Sequence, residues 1–91
     1  MTNSDICEML KAYNEGLMTS EFEHYEFVSK LAFCFKEIKK YYEDIESLRY
    51  EIGADGFYVD NHKIICRLNR RIDILNESIN DMVVNFINEH Q

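Results

Sequence analysis

Proline and tryptophan are absent from this sequence of 91 residues, and glycine occurs only three times. Helix interiors exclude proline and disfavour glycine, so a chain that lacks both is free to form long helices. Gly16, Gly53 and Gly56 divide the chain into three stretches. We therefore expect helices in these stretches and turns at the glycines.

Basic residues are also few. Ten Lys and Arg stand against 17 Asp and Glu, which gives a formal net charge of -7. Non-specific binding to nucleic acid or to an anionic membrane needs a basic surface, so this charge argues against both. It is compatible with a basic protein partner.

Only three cysteines occur, Cys7, Cys34 and Cys66, and their wide spacing contains no CxxC motif. This pattern argues against a disulfide framework and favours a reducing compartment. No basic segment followed by an apolar run opens the chain, and no apolar run approaches the roughly 20 residues that span a bilayer. We therefore expect a cytoplasmic protein of one domain that does not bind membranes.

The first stretch predicts a short amphipathic helix over residues 4–17. Its apolar residues recur at helical spacing: Ile6, Met9, Leu10, Tyr13 and Leu17. Ser4 or Asp5 can cap its start, and Gly16 can end it.

The second and third stretches carry a heptad pattern, which predicts two long helices over residues 20–53 and 61–89. Ser20 and Glu23 have the spacing of a capping box for the first of these. The seam positions are His24, Phe27, Leu31, Cys34, Ile38, Tyr41, Ile45, Leu48 and Ile52, and then Ile65, Leu68, Ile72, Leu75, Ile79, Met82 and Phe86.

A turn at residues 54–60 would fold the second long helix back on the first. The predicted fold is all-α: a short N-terminal helix followed by a long antiparallel coiled-coil-like helical hairpin. Two hairpins could pack as a four-helix bundle in a homodimer. Residues 57–65 have a second interpretation, a small β-hairpin around Asp60 and Asn61.

A basic cluster formed by Lys63, Arg67, Arg70 and Arg71 stands out in an acidic chain. In an antiparallel hairpin, residues whose numbers add to about 112 lie side by side. The cluster would then flank an acidic stretch containing Glu43, Asp44, Glu46 and Glu51, and complementary charges of this kind set helix orientation. We therefore interpret the cluster as one side of an internal charge match, ahead of a site for an acidic partner or for nucleic acid.

Residues that could carry chemistry do not form a recognisable constellation. His62 and Cys66 share a helix face, but with Asp60 they offer at most three of the four ligands of structural zinc. Cys7 and Cys34 lie on predicted apolar stripes, where a buried thiol is inert. The "GADG" turn lacks the length and the lysine of a phosphate-binding loop. The sequence predicts neither an enzyme nor a metal or cofactor site.

Aromatic residues are more numerous than one helical seam needs. Tyr42 would widen the main stripe of the long helix. Phe22, Tyr25 and Phe33 would align on another face, and Tyr50 also lies off the seam. The N-terminal helix could cover this ridge, and so could a second copy or a foreign protein. The candidate contacts are Phe22, Tyr25, Phe33, Tyr42, Tyr50, Glu43, Asp44 and Glu46.

Four functions follow in order of preference. The first is a small acidic protein-binding module, an adaptor or inhibitor of another protein that acts through an aromatic and acidic helical surface. The second is a nucleic-acid mimic that occupies a DNA- or RNA-binding protein. The third is a self-assembling structural coiled coil, and the last is direct binding of nucleic acid through the basic cluster. The abundance of Ile, Asn and Tyr suits an AT-rich genome, such as a viral one.

Overall fold

Three helices make up the fold in a computed structural model that describes all residues, 1–91. Helix α1 spans Asn3–Asn14, α2 spans Tyr25–Arg49 and α3 spans His62–Glu89. The all-α prediction is confirmed, but the helix boundaries differ from those predicted. The molecule is elongated, with extents of 57 × 25 × 18 Å.

Helix α1 is held at both ends by capping. Thr2 is the N-cap, and a capping box joins it to Asp5, so the prediction that Ser4 or Asp5 caps the helix was wrong by two or three positions. Hydrogen bonds from the backbone and hydroxyl of Thr2 stabilise the Asp5 carboxylate and lower its pKa below the ordinary value of 3.8. Gly16 takes the left-handed conformation that ends the helix, and Leu17 N–H donates to the carbonyl of Ala12.

Helix α2 begins five residues later than predicted, and the expected capping box of Ser20 and Glu23 does not cap it. The break lies at His24, whose φ of 69° is left-handed and interrupts any helix. The His24 ring packs edge-on against Phe86 and His90, with centroids 4.9 and 4.7 Å apart. The left-handed backbone at His24, which separates Phe22 from α2, therefore coincides with contacts between the His24 ring and residues at the end of α3.

Helices α2 and α3 run in opposite directions, because the start of α2 contacts the end of α3 and the end of α2 contacts the start of α3. Phe27 stacks on Phe86 with ring centroids 3.9 Å apart. At the other end, the Asn61 amide donates to the carbonyl of Leu48 over 2.9 Å. Between them, Ile38 and Ile45 are buried against Ile72.

The core has two parts. One part lies where all three helices meet, around Ile6, Leu31 and Phe86. The other lies between α2 and α3, around Ile38, Ile45 and Ile72. Only eight of the 91 residues are buried, so most of each helix remains in contact with solvent.

The segment between α2 and α3 is longer and more structured than the predicted turn. Ile52 and Tyr58 form an isolated antiparallel bridge, and Gly53 N–H donates to the carbonyl of Phe57 over 2.8 Å. The alternative β-hairpin around Asp60 and Asn61 is wrong, because α3 already begins at His62.

Candidate partner-binding surface

Helix α2 carries large apolar side chains that no other helix covers, on two opposite sides. Phe33 is 62 % exposed, Tyr42 is 55 % exposed, and Phe35 is exposed as well. They stay exposed because the seam residues Ile38 and Ile45 face α3 instead. Exposed aromatic groups on one helix are typical of a contact surface.

Helix α1 covers only the first part of α2 and leaves a groove beside it. The Tyr13 ring packs on Tyr25, with centroids 5.6 Å apart, and the Tyr13 hydroxyl lies 3.4 Å from that of Ser29. The groove has a volume of about 670 Å³ and is lined by Leu10, Tyr13, Asn14, Ser29, Ala32, Phe33, Phe35, Lys36 and Lys39. It is therefore an apolar depression with two lysines at one end.

The predicted aromatic ridge of Phe22, Tyr25 and Phe33 does not exist as one surface. Phe22 lies outside α2, in the turns before His24, and lines a different cleft next to Phe27 and Phe86. Tyr25 is half-buried under Tyr13. The prediction was wrong because it extended the helical periodicity through His24, where the backbone turns.

The acidic candidates are placed along the second half of α2. Glu43, Asp44 and Glu46 are all exposed, and none of them lies within 4.0 Å of a basic group. Glu43 and Glu46 follow Tyr42 on adjoining turns, while Asp44 shares its side of the helix with Phe33. Tyr50 lies just past the end of α2 and is also exposed.

The basic cluster is not neutralised by the acidic stretch that it was expected to match. The ion pairs within 4.0 Å are Lys11–Glu15 and Lys30–Glu26, and the His24 ring lies 3.5 Å from the Glu23 carboxylate; all three contacts are local in sequence. Arg71 instead lies over the ring of Tyr41, with its guanidinium carbon 6.0 Å from the centroid. Opposite charges do flank the two helices, but direct ion pairs between α2 and α3 do not form.

A second apolar surface, which sequence reasoning missed, lies at the tip between α2 and α3. Phe57 is 73 % exposed, and Ile52, Tyr58 and Val59 are exposed beside it. The hydrogen bonds of the bridge and one from Phe57 N–H to the Asp55 carboxylate fix this tip. The signal for this surface in the sequence was the pair Phe57 and Tyr58, which follows Gly53 and Gly56.

The thiols and imidazoles form no evident reaction centre. Cys66 Sγ lies 3.6 Å from His62 Nε2, and no group of three or more His, Cys, Asp or Glu side chains is placed to hold a metal ion. All three cysteines are free. Cys7 is exposed, contrary to the prediction that it lies on the buried stripe of α1.

No family model, no curated protein sequence and no solved structure matches this chain. None of the three helices has both the length and the apolar character needed to cross a membrane.

Proposed function

We propose that this protein is a small non-catalytic protein-binding module, an adaptor or inhibitor that acts through the outer surface of α2. The observation that carries the proposal is the exposure of Phe35 and Tyr42 on one side of α2, near unpaired Glu43 and Glu46. Phe33 is exposed on the opposite side of the same helix. Aromatic side chains bury much area at a small cost in conformational entropy, which makes them effective anchors.

The groove between α1 and α2 extends this surface. A partner side chain of apolar or aromatic character could enter the space above Ala32, next to Phe33. Lys36 and Lys39 at its end could then bind a carboxylate, while Glu43 and Glu46 could bind basic groups farther along the helix. We also propose that α2 packs on α3 in the manner of a coiled coil, and that two copies form a four-helix bundle.

Capture from a lysate of the source cells, followed by mass spectrometry, tests the proposal. We expect the variant with Phe33→Ala and Tyr42→Ala to lose a protein that the wild type retains. Ile74→Ala is the matched control, because Ile74 is equally exposed but lies on α3. Circular dichroism should show the same helix content in all three proteins.

Two results would contradict the assignment. The first is capture that persists in the double variant. The second is equal loss in the Ile74→Ala control, since that would show no dependence on the α2 surface.

A nucleic-acid mimic is the second candidate, favoured by the exposed and unpaired carboxylates Glu43, Asp44 and Glu46. Capture by mimicry should fall steeply between 0.1 and 0.5 M salt, because salt screens exposed charges over about 10 Å or less in this range. Capture that depends on the aromatic groups should change little over that range.

A further inference from the structure

The surface area of the chain is large for its mass. The molecule exposes 6984 Å², whereas a compact monomer of 10.9 kDa exposes roughly 5,600 Å². The elongated shape accounts for the additional exposed area. A second elongated molecule packed alongside would bury this additional area. A standard interface takes about 800 Å² from each partner, which is less than this excess of about 1,400 Å².

The charges on the outer face of α2 reverse sign along the helix. Lys36 and Lys39 occupy its middle, and Glu43 and Glu46 follow two turns later. None of these four groups lies within 4.0 Å of an opposite charge in its own chain. The face therefore carries two blocks of opposite sign that make no ion pairs within their own chain.

We infer that the partner of this face is a second copy of the same chain, packed with its α2 antiparallel to the first. This inference rests on the proposed function, since it names the partner of the same surface. A two-fold axis makes one block of each copy meet the opposite block of the other. A parallel arrangement would instead place lysine against lysine and glutamate against glutamate.

One alignment of the two α2 helices places each of these four charged residues opposite a residue of opposite charge. When facing residues have numbers that add to about 82, Lys36 lies opposite Glu46 of the second copy, and Lys39 lies opposite its Glu43. The two-fold axis repeats both pairs, so that four ion pairs form. Phe35 and Tyr42 then lie between the two helices, where they lose their contact with water.

The same register explains two further features. It places Tyr50 of the second copy over Ala32, at the groove between α1 and α2. Tyr50 is exposed at the end of α2, and the groove is open and apolar. The phenol ring is of a size that such a groove accepts, so each copy would fill the groove of the other.

Charge reversal tests both the interface and its register. We expect wild-type protein to be dimeric by light scattering at roughly 10–100 µM, since interfaces of this size give micromolar or tighter binding. Lys36→Glu with Lys39→Glu, and separately Glu43→Lys with Glu46→Lys, should each raise the dimer Kd at least about 100-fold. Mixing the two variants should restore a dimer that contains one copy of each.

The control reverses two lysine or arginine charges elsewhere. Lys63→Glu with Arg67→Glu changes the net charge by the same amount, at exposed positions near the start of α3. This variant should stay dimeric. Because all the altered side chains are exposed, circular dichroism should show wild-type helix content in every variant.

The outcomes separate this inference from the proposed function. The inference is overturned if wild-type protein stays monomeric up to about 1 mM, since even a dimer with a Kd of about 1 mM would be visible there. That result would leave the α2 surface available to a foreign protein. A dimer that all variants preserve also overturns it, because the contact must then lie elsewhere. Failure of the capture experiment with a confirmed α2 dimer would refute the proposed function, which needs a foreign protein partner, and would leave this inference standing.

Discussion

The buried amide of Asn61 provides the sharpest test of how α2 and α3 are held together at the tip. Asn61 is 8 % exposed and is the one polar residue among the eight buried ones. Its Nδ2 donates to the Leu48 carbonyl over 2.9 Å and to Glu51 Oε2 over 2.7 Å. Both partners only accept, so the amide nitrogen must face them.

Replacing Asn61 by Ala removes both hydrogen bonds and leaves the Leu48 carbonyl, near the end of α2, without this partner. The bond to the carbonyl contributes about 1 kcal/mol, and the bond to the carboxylate contributes about 1.5 kcal/mol or slightly more. We expect the free energy of unfolding to fall by about 2–3 kcal/mol. A chain of this length has about 5–14 kcal/mol in total, so the loss is large.

Urea unfolding followed by circular dichroism measures this change. With a slope of about 1–2 kcal/mol per M, the midpoint should fall by about 1–3 M. Asn80→Ala is the control, because Asn80 is exposed on α3, and its effect should stay within about 0.5 kcal/mol.

Asn61→Asp provides an independent comparison. It keeps the shape of the side chain but places a carboxylate against a carbonyl and against Glu51, so at pH 7 it should destabilise more than Asn61→Ala. If Asn61→Ala costs less than about 0.5 kcal/mol, or if Asn61→Asp is the milder change, the hydrogen bonds do not hold the tip as described.

Two further predictions concern the other end of the molecule. Phe86→Ala should lower the free energy of unfolding by about 3–5 kcal/mol, because Phe86 is buried and stacks on Phe27, whereas exposed Ile74→Ala should have little effect in the same urea assay. Because folding lowers the pKa of Asp5, the stabilisation by its ionised carboxylate is fully present above pH 3.8. This stabilisation is lost as the pH falls through the folded-state pKa. Asp5→Asn should therefore flatten the loss of stability in acid, and an unchanged acid profile would refute the role of the capping box.

The seam of each long helix was predictable because it depends on local periodicity. From Phe27 to Leu48, every predicted seam residue of α2 is buried or half-buried, and the same holds from Ile65 to Phe86 in α3. A repeat of three and four residues places apolar groups on one side of a helix whatever that helix packs against. The end of α1 at Gly16 was predictable for a similar reason, since glycine adopts the left-handed conformation without strain.

The start of α2 and the shape of the candidate site were not predictable in this way. Ser20 and Glu23 have the spacing of a capping box, but contacts of His24 with Phe86 and His90, more than 60 residues away, accompany a break after them. This break removes Phe22 from the helix and divides the predicted ridge. Similarly, no local pattern shows that the Asn61 side chain turns back to α2 instead of capping α3.

The sequence by itself determined that the chain is helical, where its apolar stripes run and where its charges change sign, because each of these depends on residues within a few turns of one another. Only the tertiary structure decided which aromatic groups remain exposed. That outcome depends on where α1 crosses α2, and the crossing covers Tyr25 but leaves Phe33, Phe35 and Tyr42 in solvent. Burial is a property of packing between distant segments, and a pattern along one helix does not contain it.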